Sequence, residues 1–190
     1  MSKLNLKIIL GSTRKGRFVE QPGMWIFNEA KKIRDFDVEL LDLRDYPLPF
    51  FDEEIIPSHL ADSESYYSDV VKAWTSKIAE ADAFIIVTPE YNHSCTAVLK
   101  NALDYVYKEW NYKAISFVGY GSMGGARAVE HLRTIAVKLR MTPIREAVHI
   151  SAFWTLLDTQ GKLKTETFES QCLPMLIELG KVAYQLRSTR

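Results

Sequence analysis

The run Ala83-Phe84-Ile85-Ile86-Val87 is apolar at every position. A strand with one face in water alternates in polarity, and a strand covered on both faces does not. The run therefore predicts a central strand of a parallel sheet with helices above and below it. The neighbouring segments agree. Residues 4–10, 37–43, 113–120 and 142–150 also read as strands, and the central one extends over 83–88. Helical periodicity falls between and after them, over 22–34, 65–81, 96–108, 125–140 and 165–187. Alternation of this kind predicts an α/β fold.

Strand order follows from burial. Phe36, Val38 and Leu40 alternate with Asp37 and Glu39, while the last strand opens on Pro143 and carries Arg145 and Glu146. Both patterns belong at sheet edges. With right-handed crossovers and the first and third strands inside, the expected order is 2-1-3-4-5, a five-stranded parallel sheet in a flavodoxin-like three-layer sandwich. Apolar stripes supply the inner helix faces: Val70, Trp74 and Ile78 in the second helix, and Val129, Leu132, Ile135, Ala136 and Leu139 in the fourth. The last helix offers Phe168, Cys172, Met175, Leu176, Leu179 and Ala183, and Pro174 either kinks it or marks its true start.

Lys plus Arg and Asp plus Glu balance at 24 each, so no global field recruits nucleic acid or an anionic membrane. No run approaches the roughly 20 apolar residues of a membrane span, and the expectation is a cytoplasmic protein. Cys95 and Cys172 lack C-x-x-C or metal-ligand spacing, and His59, His131 and His149 are scattered, so no metal is expected. No repeat, low-complexity tract or linker divides the chain, which predicts one domain over residues 1–190.

In an open α/β sheet, ligands bind beyond the carboxyl ends of the strands where the strand order reverses. Three loops converge there: 11–17, 89–96 and 120–125. The first, Gly11-Ser12-Thr13-Arg14-Lys15-Gly16-Arg17, has neither the P-loop pattern nor G-x-G-x-x-G, which disfavours a nucleoside triphosphate. Its hydroxyls, backbone amides at a helix entrance and arginine forks suit a phosphate monoester. The competing assignment is an N-cap by Ser12 or Thr13 with the basic side chains in water. A phosphatase would need a cysteine nucleophile in this loop, and it contains none.

The stretch from Thr88 to Val106, TPEYNHSCTAVLKNALDYV, resembles the signature of the NADPH-dependent FMN reductase family, P-E-Y-N-x-S after the third strand and L-K-N-A-x-D in the next helix. Gly11, Ser12, Arg14 and Arg17 match that family's first loop, YGSMGGARAVEHLR its Gly-rich loop, and DLRDYPLPFFDEE the loop after its second strand. The similarity spans residues 7–150 in order. One departure stands at Cys95-Thr96, where many family members carry an aromatic or aliphatic residue followed by Pro. Thr96 can cap the following helix through its hydroxyl instead.

The resemblance implies a bound FMN and NADPH, or NADH, as hydride donor. Ser12, Arg14 and Arg17 would hold the 5′-phosphate; Pro89, Glu90, Tyr91 and Asn92 would line the ring and ribityl chain. Tyr120, Gly121, Ser122, Gly124 and Gly125 would approach the pyrimidine end, with the chemistry carried by the flavin and no catalytic side chain. Residue by residue, Tyr91 can also plug the strand end, Glu90 can be a surface carboxylate and His93 a loop residue. The resemblance further implies a small-molecule acceptor (flavin, quinone, azo compound or metal species) and a homodimer or homotetramer, with Trp110, Tyr112, Phe50 and Phe51 as exposed aromatics for the contact. The alternative is a flavodoxin-like electron carrier without activity of its own. Such carriers are strongly acidic when they dock to basic partners, and this chain is neutral.

Overall fold

The computed structural model describes residues 2–60 and 68–189. Its strands are β1 (Leu4–Leu10), β2 (Phe36–Asp42), β3 (Ala83–Pro89), β4 (Ala114–Gly121), β5 (Thr142–Pro143) and β6 (Val148–Ser151). Its helices are α1 (Glu20–Lys31), α2 (Asp69–Glu80), α3 (Ala97–Asp104), α4 (Ala126–Lys138) and α5 (Cys172–Arg187). Within the sheet the pairings are parallel, in the order β2-β1-β3-β4-β5, with β6 also on β4. This is the flavodoxin-like order expected from the burial patterns.

Side-chain alternation divides the core between the two faces of the sheet. Leu4, Leu6, Ile8 and Leu10 of β1, with Ala83, Ile85 and Val87 of β3, pack on the α1 and α5 side. Ile9, Phe84 and Ile86 pack on the other side with Trp74 of α2, Leu99 of α3 and Leu132 of α4. Each such side chain taken fully from water contributes about 1.5–3 kcal/mol before ordering costs. Lys7 is also buried on β1, and its ammonium is paired with Glu39 and Glu80, as a buried charge requires.

Some expectations change in detail. The fifth strand is two short strands: Ile115 pairs with Pro143 and Val118 with Val148, so Ser116 and Phe117 face Ile144 to Ala147. Pro143 has no N–H to continue the ladder, and the bulged carbonyls are taken up elsewhere. The Ser116 hydroxyl donates to the Glu146 carbonyl at 2.8 Å, and Arg133 donates to the carbonyls of Ile144 and Arg145. In α5, Pro174 sits in the first turn, so it marks the helix start and makes no kink. Ser68 caps α2 through the Val71 amide; the expected start at Ser65 lies outside the described residues.

Trp110, expected at the surface, is fully buried. Its ring meets Phe84 at 4.7 Å and Trp74 at 6.2 Å, edge to face, which is the geometry favoured by ring quadrupoles. Phe51 is half-buried against Tyr105. Phe50 and Tyr112 remain exposed.

Candidate functional site

The carboxyl ends of β1, β3 and β4 bring the three expected loops together. Loop 11–17 leaves β1 through Gly11, whose amide donates to Val87 O at 2.8 Å. A Cβ on Gly11 would stand 2.9 Å from that same oxygen and 3.0 Å from Leu99, so no other residue fits between β3 and α3 here. Guanidinium groups take up two of the loop's carbonyls. Arg17 Nη1 donates to Ser12 O at 2.7 Å, and Arg44 Nη2 to Arg14 O at 2.9 Å. Among the described residues, the amides of Ser12, Thr13, Arg14, Lys15 and Gly16 donate to nothing.

A short stretch of unpaired amides is the raw material of a nest for an anion. Arg14 and Lys15 are exposed beside it and make no ion pair among the described residues. Arg17 is different. Its side chain is 3% exposed, paired with Asp42 through Nη1 at 2.6 Å and through Nη2, and Nε donates to Glu20 at 2.9 Å. Facing two carboxylates and a carbonyl, this guanidinium shapes the loop from behind. Burial alone would raise Asp42, but the hydrogen bonds from Arg17 and the Arg44 amide hold its carboxyl below the usual range. The N-cap alternative for Ser12 and Thr13 is not realised: α1 begins at Glu20, and Val19 precedes it with no side-chain cap.

Loop 89–96 is a tight hairpin. Asn92 and His93 both have positive φ, 49° and 70°, and Tyr91 and Ser94 exchange backbone hydrogen bonds of 2.8 and 2.9 Å. Two consecutive left-handed residues make a type I′ turn. The turn leaves Tyr91 40% exposed and Asn92 exposed at its tip, so Tyr91 does not plug the strand end. Ser94 Oγ meets His131 Nδ1 at 3.0 Å, anchoring the turn to α4.

Glu90 turns its carboxylate away from the turn, to the N-terminus of α4, where it accepts from the Arg127 amide at 3.1 Å and from Arg127 Nε at 2.6 Å. Burial pushes that carboxyl up, and the Arg127 hydrogen bonds outweigh it, so its net shift is downward. The Glu90 amide donates to Tyr120 O at 3.1 Å.

Loop 120–125 depends on glycine. Gly124 and Gly125 have φ of 63° and 69°, and a Cβ on Gly125 would lie 2.7 Å from the Tyr120 amide and 2.8 Å from Gly119 Cα. Gly124 O accepts from His149 Nδ1 at 2.9 Å, which fixes the proton on that nitrogen. Gly121 is half-buried and Ser122 exposed. The Tyr120 ring packs inward, edge-on to Phe18 at 5.3 Å and Phe153 at 5.4 Å. Burial raises its phenol.

Thr96 does cap α3: its hydroxyl accepts from the Leu99 amide at 3.2 Å. The same hydroxyl donates to Gly11 O at 2.6 Å, so it also ties the second loop to the root of the first. Asp42, Arg44 and His149 hold the loops from outside and were not expected from the sequence. The signal for Asp42 is positional, since it ends an edge strand in register with Leu10.

A parallel sheet in this order, with a row of unpaired amides beyond β1 and a glycine-dependent loop beyond β4, defines a flavodoxin-like protein whose loops meet at the strand-order switch. The sequence model for "NADPH-dependent FMN reductase" matches residues 4–155. The chain belongs to that family and is an oxidoreductase. It is 40% identical over 143 residues to an NAD(P)H-dependent FMN reductase of Schizosaccharomyces pombe, covering 74% of this chain and 70% of the relative. To an NAD(P)H:quinone oxidoreductase of Solanum tuberosum it is 31% identical over 191 residues, 94% and 92% of the two chains. In fold it is similar to FerB, the flavoenzyme NAD(P)H:(acceptor) oxidoreductase of Paracoccus denitrificans, with a TM-score of 0.72 at 20% identity over 96% of this chain and 98% of that one.

Proposed function

We propose that this chain binds FMN in the cleft between the three loops and passes reducing equivalents from NADPH or NADH to a small acceptor in a ping-pong cycle. The observation that carries the reading is the row of unpaired amides from Ser12 to Gly16, with Arg14 and Lys15 beside it. Such a row fits a phosphate monoester, because every donor on it lacks a protein partner among the described residues and the free charges have the required sign.

Bound there, the flavin supplies the hydride chemistry. The protein's part is to bind and orient. Ser12 and Arg14 address the phosphate with the loop amides, while Arg17 acts through the loop's shape. The main chain of Pro89 to Asn92 and the Tyr91 ring border the second side of the cleft, and Gly121, Ser122, Gly124 and Gly125 the third. Tyr120, its phenol raised by burial, stays protonated at neutral pH. Acceptors of the quinone, flavin, azo or metal type fit a cleft with a half-exposed aromatic and no charged catalytic side chain. Phe50 and Tyr112, both exposed, are proposed to contact a second copy in a homodimer or homotetramer.

The test is a titration of apoprotein with FMN and riboflavin, followed by flavin fluorescence, and NADPH oxidation with menadione as acceptor. The expected result is tight FMN binding that Arg14→Ala weakens about tenfold or more while riboflavin binding changes little. Protein that quenches neither flavin, or an Arg14→Ala variant with undiminished preference for FMN, refutes the placement.

A further inference from the structure

Resting on the reading of loop 11–17 as a phosphate site, we infer that Asp42 and Arg44, at the end of β2 and just beyond it, are positioning residues that hold that loop in its anion-accepting form. Neither need touch the phosphate. Leu10 and Asp42 are register partners, so the loops that follow β1 and β2 leave the sheet side by side. The Asp42 carboxylate then bridges them: Oδ1 accepts from Arg17 Nη1 at 2.6 Å and from the Arg44 amide at 2.9 Å, and Oδ2 from Arg17 Nη2. The Arg44 side chain crosses back over loop 11–17. Its Nη2 reaches Arg14 O at 2.9 Å, its Nε reaches Thr13 O at 3.5 Å, and its Nη1 pairs with Glu20 at 3.2 Å.

Together the two guanidinium groups collect the carbonyls of Ser12, Thr13 and Arg14, three in succession. In a trans peptide the C=O and the following N–H point in opposite directions. Drawing those carbonyls to one side therefore turns the amides of Thr13, Arg14 and Lys15 to the other, which is where they stand without protein partners among the described residues. Asp42 and Glu20 balance the charges of Arg17 and Arg44, leaving Arg14 and Lys15 as the loop's cations without an ion pair among the described residues. Preference for a phosphorylated flavin then depends on two residues behind the loop.

The test uses Arg44→Ala and Arg44→Lys, with Asp42→Asn as a third variant. Arg44 is 39% exposed in its side chain, so its replacement leaves the core intact even where Asp42→Asn fails to fold. Two readouts are taken. Backbone 15N relaxation on the apoprotein should show residues 13–16 falling from an order parameter near about 0.85 to below about 0.6 in Arg44→Ala. Titration should show the FMN dissociation constant rising about tenfold, with riboflavin changed less than about twofold and Arg44→Lys recovering part of the loss, since an ammonium lacks the fork.

A loop as rigid in Arg44→Ala as in the unaltered protein overturns the inference, as does equal weakening of both flavins. If the unaltered protein binds neither flavin, the FMN reading falls, and the relaxation data still decide whether Arg44 holds the loop.

Discussion

Thr96 is the place where this chain departs from the family signature, and the structure gives its hydroxyl two partners, the Leu99 amide at 3.2 Å and Gly11 O at 2.6 Å. Thr96→Val keeps the shape and removes both bonds. Loss of the N-cap costs about 1 kcal/mol. Leaving the buried Gly11 carbonyl without its Thr96 partner costs at least about 1 kcal/mol more, because water does not reach a residue as buried as Thr96. For a chain of 190 residues the sum of about 2 kcal/mol corresponds to a fall of about 4–8 °C in Tm. Thr96→Ser, which retains the hydroxyl, should lose less than half of that. Thr96→Pro loses both bonds but suits the observed φ of −69°, and the stiffer unfolded chain returns about 0.4–1 kcal/mol. The assay is thermal denaturation of apoprotein followed by circular dichroism. A Thr96→Val variant melting within about 1 °C of the unaltered protein, or a serine variant that loses as much as valine, refutes the double role.

Acid should destabilise the fold through its paired carboxylates. Asp42, Glu39, Glu80 and Glu90 are all held below their ordinary range, so their contribution is complete above about pH 5 and is lost as pH falls through the depressed folded values. Melting temperatures taken from about pH 6 to about pH 3.5 should decline, and Glu90→Gln should flatten part of that slope; a constant Tm over the range contradicts the pairing. Two glycines with similar positive φ should respond differently to alanine. Gly16 has nothing within 4 Å of a Cβ, so Gly16→Ala costs only the left-handed backbone, about 1–2 kcal/mol. Gly125→Ala adds main-chain contacts at 2.7 Å and should cost at least about 3 kcal/mol, or about 6 °C of Tm; equal losses for the two refute the packing argument.

Strand identity and order were legible because burial on two faces leaves a one-dimensional trace. β3 is buried at every position, whereas β2 mixes buried, half-buried and exposed residues. Other features depend on partners distant along the chain. Trp110 lies in a polar stretch, and only the tertiary meeting of α2 and β3 around it makes it core. Splitting of the fifth strand depends on Arg133 of α4 and Ser116 of β4 receiving the carbonyls that the ladder drops. Arg17 is the sharpest case. A basic residue in a ligand loop reads the same whether it faces a phosphate or a carboxylate, and the carboxylate that claims it, Asp42, lies 25 positions away.

That difference changes the physical account of the anion affinity proposed for loop 11–17. An argument from the helix dipole fails here, since α1 starts at Glu20 and carries that acid in its first turn. Counting every basic residue near the loop also overstates the field, because Arg17 and Arg44 each sit against carboxylates. On the proposed reading what remains is local: peptide dipoles oriented by Arg17 and Arg44, with the charges of Arg14 and Lys15, unpaired among the described residues, at the rim. A dipole fixed in advance needs no reorganisation when the anion arrives, while an exposed lysine or arginine loses side-chain freedom on contact and is screened by salt. The oriented amides should therefore provide the salt-insensitive part of phosphate affinity, and Arg14 and Lys15 the part that fades as ionic strength rises.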